Sequence, residues 1–177
     1  MTASLFLLAA VVTALMGGHG TWPTIATVVF AAAAGTRLPD LDMSLGLQHR
    51  SALTHGIAPL LLALLDRRTW PVAAGLGFGV GLHLAADLFP RRMRGFATVK
   101  LPWWGSIGSG PSYLWIAGNA AANLAGGVVV LGRVADGPMM AGATAAVGVL
   151  GVAYLLRADG GWQALAVFAA LAWLACR

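Results

Sequence analysis

An all-α fold, a polytopic bundle of about five to seven transmembrane helices in a single domain over residues 1–177, is what this sequence predicts. Three observations predict it. The chain is 59% hydrophobic and only 10% charged, with a mean hydropathy of +0.80. Its apolar residues run in blocks at about 4–17, 21–36, 52–65, 70–90, 112–133, 138–156 and 161–176, and Asp87 is the only charge inside one of them, Arg133 merely closing the fifth. The blocks are also apolar all round, whereas a soluble helix carries one apolar stripe. A bilayer span takes about 20 residues, with a lower limit near 17, and the last four blocks meet or approach that length. The first three are shorter, which suits tilted, re-entrant or bundle-packed segments.

The first block, MTASLFLLAAVVTALMGG, lacks the basic start of a secretory signal and further membrane segments follow it, so it reads as a retained helix. Proline and glycine then divide the chain. GGHGTWP (17–23) ends the first helix and puts Pro23 in the first turn of the second. Pro39 disfavours the α conformation at Leu38, so the second helix stops near Arg37. LDRRTWP (65–71) is a tight connection, ADGP (135–138) and RADGG (157–161) are turns, and 91–111 is the longest polar stretch. GLGFGVG (75–81) has no strand before it and no phosphate-loop register. Its glycines fall instead in four-residue pairs, Gly75/Gly79 and Gly77/Gly81, which let membrane helices approach closely. The lone Cys176 can form no internal disulfide.

The net charge of +5 and pI near 10.7 do not point to nucleic acid, because the basic residues punctuate helix ends and alternate with no aromatic pattern. With seven crossings, Arg37, Arg50, Arg91, Arg92, Arg94, Lys100 and Arg157 share one side, against Arg67, Arg68, Arg133 and Arg177 on the other. The richer side is cytoplasmic by the positive-inside rule.

Polar residues are scarce, yet two Asp and two His crowd between Leu38 and Gly56. Ionisable groups beside apolar helices are expensive to bury and mark function by default. Asp40 and Asp42 follow the second helix, and His49 and His55 follow them. His83 and Asp87, four residues apart, face one side of a later helix. The third block crosses away and the fourth returns, so all six converge on one membrane face. Neutral imidazole with carboxylate suits a divalent metal, most readily zinc, and six donors suffice for one or two ions. His19 lies on the opposite face and reads as a loop histidine.

PDLD, then HRSALTHG, then GLHLAADLFP resembles the LexA-regulated, membrane-bound metal-dependent hydrolases (YdjM-type). The resemblance covers about residues 38–102. It implies a multi-pass protein of the bacterial inner membrane whose metal-site positions are Asp40, Asp42, His49, His55, His83 and Asp87, and more distantly a similarity to zinc-dependent phospholipases C and P1-type nucleases. The chain departs from that pattern at Ser51 and Gly56, at Phe89 and Pro90 where the family has Thr, and in having no Glu.

The leading reading is therefore a metal-dependent hydrolase with metal-activated water as nucleophile. Asp42 or Asp87 would serve as general base, and Arg50 would bind a substrate anion or stabilise an anionic transition state. Arg91, Arg92, Arg94 and Lys100 favour membrane lipid as partner and a phospholipid or other phosphoester as substrate. The competing class is non-enzymatic: an ion or proton transporter, or a structural partner protein with a vestigial site. Against transport, the last three blocks offer only Asn119, Asn123, Thr144 and Gln163 as a polar path. The charge asymmetry predicts that a reporter fused after Gly46 reads cytoplasm and one fused after Arg68 reads the opposite side; the reversed pattern would place the polar cluster outside.

Overall fold

The computed structural model describes residues 2–17 and 20–177; His19 lies outside the described residues. Apolar blocks with few side-chain hydrogen-bond partners fold as helices because a helix satisfies its backbone groups internally. Seven α-helices form among the described residues: α1 Thr2–Met16, α2 Thr21–Gly35, α3 Ala58–Ala63, α4 Trp70–Asp87, α5 Ser109–Val134, α6 Gly137–Leu155 and α7 Gly161–Ala175. The segments Arg67–Asp87, Ser109–Val134 and Gly137–Leu155 are long and apolar enough to cross a membrane. Helices α1, α2 and α7 are equally apolar but hold 15 residues each.

The breakers act where the sequence places them. Pro59, Pro71 and Pro138 stand in the first two positions of α3, α4 and α6, where no intrahelical donor is lost. Asp136 caps α6 by accepting from the Met139 amide at 2.9 Å.

Two segments differ from the sequence reading. The third block is helical over only six residues, because the backbone from Ser51 to Gly56 is engaged elsewhere. Ala52 N–H donates to the Lys100 carbonyl at 2.9 Å, Trp115 Nε1 donates to the His55 carbonyl at 2.9 Å, and Asn123 Nδ2 reaches that of Gly56 at 3.3 Å. The block still runs beside α4, with the Leu64 carbonyl accepting from Trp70 Nε1 at 3.2 Å. The polar stretch after α4, in a chain read as all-α, contains a small antiparallel hairpin, β1 Lys100–Leu101 with β2 Gly105–Ser106. Trp103 and Gly105 take positive φ at its turn, and Trp103 (98%) and Trp104 (85%) stand almost fully exposed at the tip.

Helix α4 is the axis of the fold, buried from Val72 to Ala86 and packed chiefly between α2 and α5. The glycine pairs make that possible. A Cβ on Gly75 would lie 2.3 Å from the Val28 carbonyl, and one on Gly79 would lie 2.1 Å from that of Ala32, both on α2. On the other flank, a Cβ on Gly77 would meet the Asn123 carbonyl at 2.7 Å, and one on Gly81 the Leu124 side chain at the same distance. Backbone meets backbone on both sides, as small-residue packing requires.

This packing predicts opposite outcomes for two glycines. Gly79→Ala forces α2 and α4 apart and destabilises the fold by about 1–3 kcal/mol, as overpacking does. Gly118→Ala, on α5 with nothing within 4 Å, leaves stability unchanged or slightly raised because alanine is the better helix former. Thermal unfolding of the two variants in detergent checks this; equal melting temperatures would refute the backbone-contact account.

Candidate metal centre

The chain leaves α2 at Gly35 and passes through two single-turn 3₁₀ helices, Pro39–Leu41 and Met43–Leu45. Asp42 organises the loop between them and α3. Its Oδ1 accepts from the Met43 amide at 2.6 Å and its Oδ2 from the Arg50 amide at 2.5 Å. It is fully buried, at 0% exposure. Those bonds hold Arg50 in the left-handed region, φ 56°, a conformation that costs a residue with Cβ roughly 1–2 kcal/mol. The Arg50 carbonyl in turn accepts from the Lys100 amide at 3.0 Å, tying this loop to the hairpin.

The left-handed turn sends the Arg50 side chain inward. It is 7% exposed. Its Nη2 donates to Asp87 Oδ1 at 2.7 Å and its Nη1 to the Ala97 carbonyl at 2.6 Å, with Met93 Sδ at 3.7 Å. The position of Arg50 between two ligand-type histidines suggests a group free for substrate, but the guanidinium is committed to Asp87. Asp42, offered by the sequence as ligand and base, has both oxygens engaged by backbone amides. Its distance of 3.7 Å to His49 Nδ1 is a further contact with the same loop.

The remaining Asp87 oxygen is the centre of the site. Oδ2 is buried and has no hydrogen-bond partner. It faces His55 Nε2 at 3.5 Å and His83 Nε2 at 3.6 Å. The tautomers are set by what each ring's other nitrogen meets. His83 Nδ1 lies 3.0 Å from the Thr36 carbonyl, which can only accept, so in the neutral ring Nδ1 carries the hydrogen and Nε2 the lone pair. Tyr154 Oη stands 3.1 Å from the same Nδ1. His55 Nδ1 lies 3.2 Å from Thr54 Oγ1, whose hydrogen is directed to the Ser51 carbonyl at 3.2 Å, so this Nδ1 also donates. With both rings in those neutral tautomers, two imidazole lone pairs and a carboxylate oxygen point at one another.

His55, His83 and Asp87 form a group that could hold a metal ion, with ligand atoms all within 4.8 Å of one another. The chemistry fits. Donors about 2.1 Å from a tetrahedral ion lie about 3.4 Å apart, close to the two separations here. Each imidazole also has its other nitrogen anchored by an oxygen, which orients metal-binding histidines.

Asp40 borders this group, its Oδ1 3.8 Å from His83 Nε2 and its side chain 63% exposed. His49 stands apart, its ring stacked on Phe96 at 4.1 Å. Burial holds the His49 pKa below its ordinary value, opposed by Asp42 and reinforced by Arg50. The six positions therefore gather at one end of the protein in two sets. Three converge on a point with Asp40 beside them, and Asp42 and His49 shape the loop behind.

Thr36, Thr54, Trp115, Asn123 and Tyr154 support the site. The Thr36 contribution is a backbone carbonyl, which no residue type announces. Tyr154 had a signal: it is one of two tyrosines, and its phenol sits in a helix whose other polar side chain is Thr144. Compared with family models, with curated proteins and with solved structures, the chain matches none of them.

The geometry predicts that purified protein binds a divalent transition metal and that His55→Ala or His83→Ala sharply lowers the metal content measured by elemental analysis. Arg50→Ala should lower it too, because a lost ligand-orienting partner reduces affinity about 10–100-fold. The same change should destabilise the fold by about 3–5 kcal/mol, since it strands a largely buried carboxylate. Wild-type metal content in all three variants would dismiss the group as a metal centre.

Proposed function

We propose that this chain is a membrane-embedded, metal-dependent hydrolase acting on a lipid-type phosphoester at the cytoplasmic face of a bacterial inner membrane, as the motif resemblance implies. The observation that carries the proposal is that two residues of the candidate metal group, His83 and Asp87, open on a cavity. The cavity, of about 750 Å³, has a lining that includes apolar side chains, Phe6 and Leu150 among them, and the charged side chains Arg37, Asp40, Arg157 and Asp159. An acyl chain and an anionic headgroup need both kinds of surface.

Zinc suits two imidazoles and a carboxylate. Such an ion supplies Lewis acidity, which acidifies water toward neutrality and polarises a phosphoryl oxygen. The chain's residues do the rest. Arg50 holds Asp87 Oδ1 and so turns Oδ2 toward the imidazoles. The Thr36 carbonyl and Thr54 hydroxyl fix both rings with Nε2 inward. Asp40, exposed to the cavity beside His83, is the carboxylate placed to take a proton from attacking water at Oδ1. Arg37 and Arg157 line the cavity beside Asp40 and Asp159, and their guanidinium forks match phosphate oxygens in geometry. Trp103 and Trp104, at the hairpin tip on the same end of the fold, suit the headgroup layer, where such rings concentrate in membrane proteins.

Asp40→Asn should retain metal and fold while turnover of a phospholipid and phosphodiester panel falls about 10²-fold or more, the usual contribution of a general base. Undiminished turnover in that variant would remove Asp40 from the chemistry. Metal-loaded wild type inert toward the whole panel would overturn the hydrolase reading in favour of a transporter or a vestigial site.

A further inference from the structure

A second cavity, of about 270 Å³, opens where α1 and α2 meet the start of α4 and the end of α5, at the other end of α4 from His83 and Asp87. Three arginines line it: Arg67 and Arg68 from the connection before α4, and Arg133 from the last turn of α5. They are exposed, and among the described residues none of the three forms an ion pair. Arg67 lies over the Trp70 ring at 5.6 Å, which holds its guanidinium beside the cavity wall. The acids at this end serve the backbone: Asp66 accepts from the Arg68 amide at 2.9 Å, and Asp136 caps α6.

The floor supplies an independent observation. Thr24 and Thr27 line the cavity from α2. Thr27 is 1% exposed, and its hydroxyl has no hydrogen-bond partner. A buried threonine on a helix ordinarily returns its hydroxyl to a carbonyl of the preceding turn. Thr13 does so to Ala9 at 2.7 Å and Thr36 to Ala33 at 2.9 Å. Thr27 does not, and a buried unsatisfied hydroxyl is uncommon enough to require a partner.

We propose that this cavity binds an anionic phosphate group, with Arg68 and Arg133 pairing its charge, Arg67 flanking it and the Thr27 hydroxyl donating to one oxygen. The volume is several times the ~30 Å³ share of one water, enough for a phosphate and its immediate substituent. Guanidinium forks match phosphate oxygens in geometry as well as in charge. The group can come from an anionic lipid or from free phosphate. This site shares no residue with the metal centre and does not depend on its function.

Native mass spectrometry of the full chain in detergent separates the cases, with phosphatidylglycerol, zwitterionic phosphatidylcholine and inorganic phosphate as probes. Phosphatidylglycerol should be retained over phosphatidylcholine, and the Arg68→Gln/Arg133→Gln double variant should lose about tenfold or more of that preference. Thr27→Val, which keeps the side chain's shape, should weaken retention several-fold, about the value of one hydrogen bond to a charged group, with the melting temperature unchanged or raised. Displacement of phosphatidylglycerol by millimolar inorganic phosphate would support the site with free phosphate as its ligand; retention in its presence supports the lipid. Equal retention of the two lipids without any phosphate adduct, or a preference that survives in the double variant, would overturn the proposal.

Discussion

The shared carboxylate of Asp87 is the interaction on which the rest of the site depends. One oxygen is neutralised by Arg50 at 2.7 Å, and the other is left bare between two imidazoles. A carboxylate this deeply placed is costly to bury without a partner, and Arg50 supplies one. An arginine bonded to both oxygens would leave no lone pair to offer. The observed division, one oxygen held and one presented, pairs the group and directs it. It is also costly in two places. Arg50 occupies a left-handed backbone position, and Asp42 is buried completely, one oxygen accepting from the Arg50 amide and the other from that of Met43. Local strain and a wholly buried charge at the same loop are what a site selected for geometry rather than stability would show.

Helix packing delivers the two halves of the group to each other. His83 and Asp87 ride on α4, and His55 hangs from the loop that precedes α3. Only close approach on both flanks of α4 brings them together. Toward α2, Gly75 and Gly79 let backbones touch, which carries the Thr36 carbonyl at the end of that helix to His83 Nδ1. Toward α5, Gly77 and Gly81 do the same, and Trp115 and Asn123 on α5 reach over to hold the carbonyls of His55 and Gly56. Glycines far from the site thus set its distances.

Much of this was legible in the sequence because it depends on spacing. The four-residue interval of His83 and Asp87 puts them on one helix face, and alternating apolar blocks bring the loop after α2 to the end of α4. The glycine intervals likewise show two flanks of close packing. What was not legible depends on atoms rather than on residue types. Asp42 and Asp87 are the same side chain, yet one is consumed by amides and the other is half free, a difference set by where a single turn places its N–H groups. Arg50 looks unpaired when Asp40 and Asp42 are both assigned to metal. It is paired because Asp87, 37 residues on, lies within reach once α4 is docked. The late start of the third helix was hidden for a similar reason, since the first residues of its block exchange helical bonds for contacts with Lys100, Trp115 and Asn123.

The same packing weighs on the choice between hydrolysis and transport. A transporter of ions or protons needs polar or hydrated groups in succession from one end of the helices to the other. Here the acids and histidines of the candidate metal centre end with His83. From Val72 to Leu82, α4 carries no ionisable residue and is buried throughout. At Gly75 and Gly79 it lies against the α2 backbone so closely that a single added carbon would sit within 2.3 Å of a carbonyl oxygen, leaving no room for a water file along that contact. The polar side chains of α5 do not extend a path either. Asn119 and Asn123 donate to the backbone carbonyls of Trp115, Asn119 and Gly56. The charged groups are thus confined to the two ends, each beside its own cavity, with close-packed apolar helix between. That arrangement favours the proposed chemistry at the His55, His83 and Asp87 end over passage through the bundle.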